Sequence, residues 1–137
     1  MNKISTVVLL LLLSISCNKV KQKNKQMAGD WQIVTYGEII FDGTLNKYTL
    51  NSGNIHFDNL NDHSDANFQL DFSAYSDFDT VEYHLNGTYS RQAIDSVTLK
   101  VGNEAYLFNV ERQFKTDMNF QGGFVPKRKS VFILKKK

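Results

Sequence analysis

A strict alternation of apolar and polar residues is the feature that most constrains the fold of this chain. In NFQLDFSAY, Phe68, Leu70, Phe72 and Ala74 take every second position, and the residues between them are polar. A strand places these four side chains on one face, whereas a helix would scatter them around its circumference. The same alternation recurs in VEYHLNGTY, SVTLKV and AYLFNVE, with shorter stretches in MNF and VFIL near the end. The chain is therefore predicted to be all-β.

Clusters of turn-forming residues separate the predicted strands. They include FDGTLN, NSGN, DNLNDHSD, YSDFD and QGGFVPK, and Gly102-Asn103 suits a two-residue hairpin. Ten Phe and six Tyr against a single Pro also favour strands. Strands at short intervals joined by such turns predict an antiparallel sandwich or barrel with no long helix. A short helical turn in KNKQMAGD, before the first strand, is the most that the pattern allows.

The amino-terminal segment is typical of an export signal. Lys3 precedes an apolar run from Ile4 to Ile15, which is shorter than the roughly 20 residues that a membrane-spanning helix needs. Its charged start and apolar centre match a signal peptide. Residues 1–16 are therefore predicted to be a signal peptide that the mature protein lacks.

The single cysteine follows this segment directly. Ser14, Ile15 and Ser16 before Cys17 resemble the lipobox of bacterial lipoprotein precursors, although Ser14 stands where that family prefers Leu. The resemblance implies a mature protein that begins at Cys17, with diacylglycerol on its sulfur and a fatty acyl chain such as palmitate on its amine. The alternative is a free thiol near an ordinary cleavage site. A disulfide within the monomer is excluded, because one cysteine has no partner.

A lysine-rich segment comes next. NKVKQKNKQ carries Lys19, Lys21, Lys23 and Lys25 and no acidic residue, so residues 17–26 are predicted to be a disordered, flexible tether. Attraction to anionic headgroups would contribute about 1 kcal/mol per lysine near the surface; the alternative is a solvated spacer. Lipoproteins that Bacteroidetes send to the cell exterior resemble one another in acidic residues after the cysteine. The lysines here therefore favour an outer-membrane lipoprotein that faces the periplasm.

The start of the β-rich region resembles a known family. Gly29 and Trp31 in MAGDWQIVTY match the G-x-W signature of lipocalins, and the further pieces Gly87-Thr88-Tyr89 and VFILKKK complete a layout similar to the small lipocalin-like lipoproteins of Bacteroidetes. The resemblance implies that residues 27–137 form one lipocalin-like, calycin-type barrel of about eight strands. It also implies that Trp31 packs across the closed end beneath a cation, for which Arg112 is the candidate. The sequence predicts neither the C-terminal helix nor the disulfide that are common in lipocalins.

Two functions are compatible with such a barrel. A hollow barrel would bind a small hydrophobic ligand through apolar and aromatic side chains on its inward face. The candidate residues are Phe68, Leu70, Phe72, Tyr83, Leu85, Tyr89, Tyr106 and Phe108. Alternatively, these residues form an ordinary core, and a solid barrel serves as a structural or assembly lipoprotein that contacts another envelope protein. Phe124, in the Gly-rich QGGFVPK, suits a mouth loop, a partner contact or a plain hairpin.

No pattern in the sequence indicates catalysis or a cofactor. His56, His63 and His84 lie in separate segments without metal-site spacing, and neither DNLNDHSD nor YSDFD has the glycine of a calcium loop. No nucleophile elbow is present. Without residues 1–16 the chain keeps 15 basic residues, one fewer than its full 16, against 14 acidic ones. Such a balance of charges does not indicate a basic surface for binding nucleic acid. Because no catalytic pattern is found, the protein is predicted not to be an enzyme.

Two tripeptides resemble the D-[ST]-apolar sites at which Bacteroidetes O-glycosylate exported proteins. They are Asp79-Thr80-Val81 and Asp95-Ser96-Val97. The resemblance implies glycans on Thr80 and Ser96.

Overall fold

The computed structural model describes residues 18–40, 42–61, 63–124 and 128–137, with the side chains of Gln92 and Arg112 outside the described set. The predicted signal peptide and Cys17 also lie outside it. The described part contains a helix, α1, over residues 18–27. It also contains nine strands: β1 (Gly29–Ile39), β2 (Leu45–Lys47), β3 (Thr49–Phe57), β4 (Ala66–Tyr75), β5 (Thr80–Ala93), β6 (Ser96–Val101), β7 (Glu104–Gln113), β8 (Asp117–Gly122) and β9 (Lys129–Lys136).

The strands form one antiparallel sheet that closes on itself. β1 pairs with β3, each later strand pairs with the next, and β9 pairs back with β1. The closing register runs from Trp31 opposite Lys136 to Ile39 opposite Lys129. The short β2 pairs only with the end of β1. The prediction of an all-β meander that closes into a barrel of about eight strands is confirmed.

Local sequence patterns account for the strands and their turns. In β4, Phe68, Leu70, Phe72 and Ala74 are buried, as their alternation predicts. The predicted two-residue hairpin joins β6 to β7, and Gly102 adopts the positive φ of 60° that such a turn requires. The inside and outside of the barrel are thus set by period-two patterning.

Aromatic side chains dominate the core. Trp31, Tyr36, Phe57, Phe72, Tyr89 and Phe108 are completely buried. Their rings contact one another through the barrel: the centroids of Phe108 and Phe120 lie 4.6 Å apart, as do those of Tyr36 and Phe72. Such pairs contribute about 0.5–1.5 kcal/mol each beyond the burial of their area.

The predicted tether is helical, so the prediction of a disordered segment is wrong. α1 covers one end of the barrel, called the closed end below, and Met27 at its end is fully buried in the core. In the part of the chain that the structure describes, no helix is long and apolar enough to cross a bilayer. The segment buries few apolar residues of its own, so its order needs partners from the barrel.

Those partners are side chains that bind the carbonyl groups at the end of α1. Trp31 Nε1 donates to Met27 O at 2.6 Å. Lys136 Nζ donates to Gln26 O at 2.9 Å and to Ala28 O at 2.5 Å. The last carbonyls of a helix have no partner within it, and a cation beside them also complements the helix dipole. These bonds supply the order that the composition of the segment does not.

The cation over the indole is Lys136. Its Nζ lies 5.1 Å from the centroid of the Trp31 ring. Trp31 itself is fully buried at the closed end. The side chain of Arg112, the candidate from the sequence, lies outside the described set, so its part in this contact stays a prediction.

A buried cation, Arg91, links β5 to the closed end. Its guanidinium donates to Gln113 Oε1 at 2.6 Å, to Ala93 O at 3.1 Å and to Ile94 O. Gln113 Nε2 in turn donates to Lys23 O of α1 at 2.8 Å. Because its surroundings are desolvated, the pKa of Arg91 falls to about 10. The side chain remains charged at neutral pH and serves as a donor to carbonyl groups.

Replacing Arg91 should destabilise the protein strongly. Arg91→Met removes the donor for the carbonyls of Ala93 and Ile94 and for the Gln113 amide oxygen, so the free energy of unfolding in urea should fall by roughly 2–4 kcal/mol. Lys100→Met, at an exposed position of β6, is the matched control and should change it by less than about 0.5 kcal/mol. Equal effects of the two substitutions would contradict this role of Arg91.

Candidate functional site at the barrel mouth

The eight candidate ligand-binding residues all lie on the inward face. Phe68, Leu70, Phe72, Tyr89 and Phe108 are buried. The other three, Tyr83, Leu85 and Tyr106, are partly buried and pack against the same core. The structure therefore brings all eight together as parts of one packed interior.

The described interior leaves no space for a ligand. A central void of about 10 Å³ is lined by Ile33, Ile55, Leu70, Leu99, Phe120, Phe124, Phe132 and Leu134. A single water needs roughly 10–15 Å³, and ligand pockets span about 300–1,000 Å³. In this conformation the inward residues act as core, as in the second interpretation of the sequence.

Phe124 closes the interior towards the opposite end, called the mouth below. Its ring centroid lies 5.0 Å from that of Tyr83, 5.2 Å from that of Tyr106 and 5.1 Å from that of Phe108. The side chain also lines the central void. Of the roles that the sequence left open for Phe124, the structure shows an inward-facing residue that fills the mouth.

An open pocket of about 510 Å³ lies at the mouth, outside the packed interior. Its walls are formed by the end of β1, by β2 with the residue after it, by the β4–β5 turn and by the residue before β9. The lining residues are Glu38, Ile39, Ile40, Asn46, Tyr48, Asp79 and Arg128. Its volume falls within the range of small-molecule sites.

A buried carboxylate forms the floor of this mouth pocket. Glu38 is only 8% exposed, and two phenols donate to it: Tyr36 Oη to Oε1 at 2.9 Å and Tyr48 Oη to Oε2 at 3.2 Å. Arg128 Nη1 lies 3.8 Å from Glu38 Oε1 and 3.3 Å from Asp79 Oδ2. A buried charge requires such partners, so this network holds Glu38 in place.

The phenols of the network stay protonated over the physiological pH range. Burial raises the pKa of Tyr36 well above its usual value. Desolvation and the neighbouring Glu38 charge also raise the pKa of Tyr48. Both hydroxyls therefore act as donors to the carboxylate rather than as bases.

Exposed apolar side chains surround the mouth pocket. Ile40 is 49% exposed, Tyr75 is 45% exposed, and Phe78 in the β4–β5 turn is 94% exposed. Leu45 of β2, opposite Ile39, is 38% exposed. We call Ile40, Leu45, Tyr75 and Phe78 the mouth rim. Exposed apolar groups gathered at one end of a folded domain mark a binding surface.

Sequence reasoning missed the mouth pocket because its polar residues come from distant segments. Glu38, Tyr48 and Arg128 belong to three parts of the chain, and no spacing rule links them. One signal was available: Glu38 follows Tyr36 by two residues and so shares its inward face. A carboxylate on the inward side of a strand needs partners, and it marks a polar site.

The histidines do not form a common site. His56 lies between two carboxylates, with Nδ1 2.7 Å from Asp30 and Nε2 3.0 Å from Asp58. His84 lies 2.9 Å from Asp71 on another strand, and His63 is in the exposed β3–β4 loop. Within the described ranges, no group of three or more potential ligands is placed to hold a metal ion.

The two proposed glycosylation positions differ in access. Thr80 is exposed, begins β5 near the mouth, and its amide donates to Asp79 Oδ1 at 2.9 Å. Ser96 is half-buried, begins β6 and lies near the closed end. Thr80 is therefore the more accessible of the two hydroxyls.

No family model matches the chain, and no curated protein matches it. Among solved structures, a redesigned β-barrel is similar to it with a TM-score of 0.52 and 16% sequence identity, over 84% of this chain and 95% of that one. A deswapped triple mutant of bovine odorant-binding protein aligns with a TM-score of 0.44 and 14% identity, over 82% of this chain and 74% of that one. At such identities, the first similarity supports the closed antiparallel barrel and nothing finer.

Removing the Phe124 ring should open the interior. Phe124→Ala should join the central void to solvent and lower the free energy of unfolding by about 2–3 kcal/mol. The variant should also bind a small aromatic probe such as benzene, as apolar cavities do, whereas the wild type should not. Calorimetric titration and urea unfolding measure the two effects. Phe78→Ala, at the exposed mouth rim, is the control and should show neither; benzene binding by the wild type would show that the interior is not filled.

The interactions of His56 with Asp30 and Asp58 should stabilise the fold mainly at acidic pH. Its hydrogen bond to Asp30, and that to Asp58, raise the pKa of His56. The contribution is therefore complete below the unfolded pKa of about 6.5 and is lost as pH rises through the higher folded pKa. His56→Gln should destabilise the protein more at about pH 5 than at about pH 8. The difference should be less than about 1 kcal/mol, because the imidazole is 43% exposed and water screens its charge. Urea unfolding at both pH values, with His63→Gln as control, measures this; a larger loss at the higher pH would contradict it.

Proposed function

We propose that this protein is a lipid-anchored cell-envelope protein whose lipocalin-like barrel binds a small amphipathic molecule at its mouth. The observation that carries the proposal is an open pocket of about 510 Å³ beside a filled interior. The ligand site is thus moved from the inward face, where the sequence placed it, to the mouth. The role requires no catalytic group.

The walls of the mouth pocket indicate the chemistry of its ligand. Ile39 and Ile40 provide apolar contact, while Glu38, Tyr48 and Arg128 provide polar groups that fix orientation. Arg128 stands between the carboxylates of Glu38 and Asp79, so these three groups together carry one negative charge. An uncharged or cationic polar group is therefore favoured, and a carboxylate or phosphate is disfavoured.

The lipid anchor rests on the resemblance of the segment before Cys17 to a lipobox. α1 is described from residue 18 onward and lies at the closed end. An acylated Cys17 would therefore attach the closed end to the membrane and leave the mouth directed away from it. Two or more acyl chains hold a protein stably on a bilayer without any protein span. The outer membrane, on its periplasmic side, is the location that the lysines after Cys17 favour.

A second candidate function is the assembly role, in which the mouth rim contacts another envelope protein. The exposure of Phe78, 94%, favours it, because a fully exposed aromatic ring is a frequent anchor of protein interfaces. The filled interior is equally compatible with this role.

Native mass spectrometry of the protein purified from its own membrane tests these proposals. The wild type should carry one small molecule per chain, and its mass should correspond to a chain that begins at an acylated Cys17. Ile40→Ser should lose the small molecule, whereas Leu107→Ser, which is 64% exposed on the barrel side, should retain it.

Other outcomes of that experiment would overturn particular parts of the proposal. A small molecule retained by Ile40→Ser would place the ligand outside the mouth pocket. A stoichiometric envelope protein that is lost in Phe78→Ser would establish the assembly role instead. A chain that retains its leader, or a free thiol at Cys17, would refute the anchor.

A further inference from the structure

We propose that the closed end of the barrel is itself a docking surface for an anionic phospholipid bilayer. This basal surface consists of the outer face of α1, the β5–β6 turn, the β7–β8 turn and the end of the chain after β9. It combines exposed apolar side chains at the tips of two turns with exposed lysines around them. The inference adds a protein contact to the lipid anchor of the proposed function, but it depends on different residues.

Two apolar side chains project from adjacent turns at this end. Phe114 is 62% exposed and Ile94 is 40% exposed. A chain of hydrogen bonds places the two turns side by side: Arg91 donates to Ile94 O and to the side chain of Gln113, the residue before Phe114. Neither side chain is among the buried core residues. Apolar groups at this position are suited to insertion at the boundary between headgroups and acyl chains.

Lysines surround these two residues. Lys115 adjoins Phe114, and the amide of Lys136 donates to Thr116 O at 2.8 Å, which places Lys135 and Lys137 beside the same turn. All three of these lysines are exposed. The carboxylates nearby are Asp95 and Asp117 of the two turns and Asp30, whose carbonyl oxygen accepts from the amide of Lys137 at 3.0 Å. These lysines therefore balance the nearby acidic residues, and the excess of positive charge comes from α1.

α1 adds further positive charge. Residues 18, 21, 22 and 25 form its exposed face, as their helical spacing and exposure show. This face carries Lys21 and Lys25, Lys19 lies beside it, and α1 contains no acidic residue. The β3–β4 loop, which holds Asp58 and Asp65, borders this same face, because its Asn59 and Asn61 line a groove together with Lys21 and Lys25.

The sign of charge and the position of the anchor select a bilayer as the occupant. Lysines near an anionic membrane surface are attracted to its headgroups, and exposed aromatic and aliphatic groups add apolar insertion. Cys17 lies directly before α1, so an acyl chain on it would enter a membrane next to this surface. The basal surface would then hold the barrel upright, with the mouth pocket turned to the aqueous side.

The test uses the chain without its anchor, so that acyl chains cannot account for binding. Residues 17–137 carrying Cys17→Ser contain every described element of the fold, and circular dichroism checks that they are folded. Binding is measured by flotation with vesicles of phosphatidylcholine alone and of an equimolar mixture with phosphatidylglycerol. The protein should bind the anionic vesicles, and salt should weaken the binding.

Variants locate the contact. Lys25→Gln and Lys115→Gln should each weaken binding about fivefold, and Phe114→Ser should weaken it roughly tenfold. Phe78→Ser, at the mouth rim, is the matched control because it removes an exposed phenylalanine from the opposite end. It should leave binding unchanged.

Three results would overturn the inference. The first is no binding to the anionic vesicles, and the second is equal binding to both vesicle types. The third is that Phe78→Ser weakens binding whereas Phe114→Ser leaves it unchanged. A stoichiometric envelope protein cross-linked through position 114 in native membranes would also replace the bilayer as the occupant. These results are independent of the mouth ligand, so either proposal can fail alone.

Discussion

The pairing of the first long strand with the last is the constraint on which the rest of the structure depends. Backbone bonds between β1 and β9, from Trp31 opposite Lys136 to Ile39 opposite Lys129, turn a meander into a ring. A closed ring gives each of its strands a partner strand on both sides. It also gives each side chain a defined inside or outside, and it creates two ends with different chemistry.

The two ends, rather than the interior, carry the distinctive polar features. At the closed end, Lys136 and Arg91 satisfy carbonyl groups of α1 and of a neighbouring turn. At the mouth, Arg128 and two phenols surround the buried Glu38. Between them lie stacked aromatic rings with almost no free volume. We therefore infer that recognition by this barrel takes place at its ends, with the filled core as a rigid support.

Local pattern determined what the sequence could predict. Alternation identified the strands and the inward residues such as Phe72 and Tyr89, and the Gly102 hairpin followed from backbone preference. α1 was missed because its order depends on Gln113 and Lys136, which bind residues 90 and 110 positions earlier. The mouth pocket was missed for the same reason, since its residues meet only when the ring closes. Whether the barrel is hollow depended on the direction in which Phe124 turns.

The two bonds of Lys136 also set an order of events during folding. Its ammonium group binds the carbonyls of Gln26 and Ala28, which lie 110 and 108 positions earlier in the chain. Neither this contact nor the pairing of β1 with β9 can form before the whole of β9 has left the ribosome. Hairpins between neighbouring strands can form sooner, so closure of the ring and ordering of the end of α1 are late steps of folding.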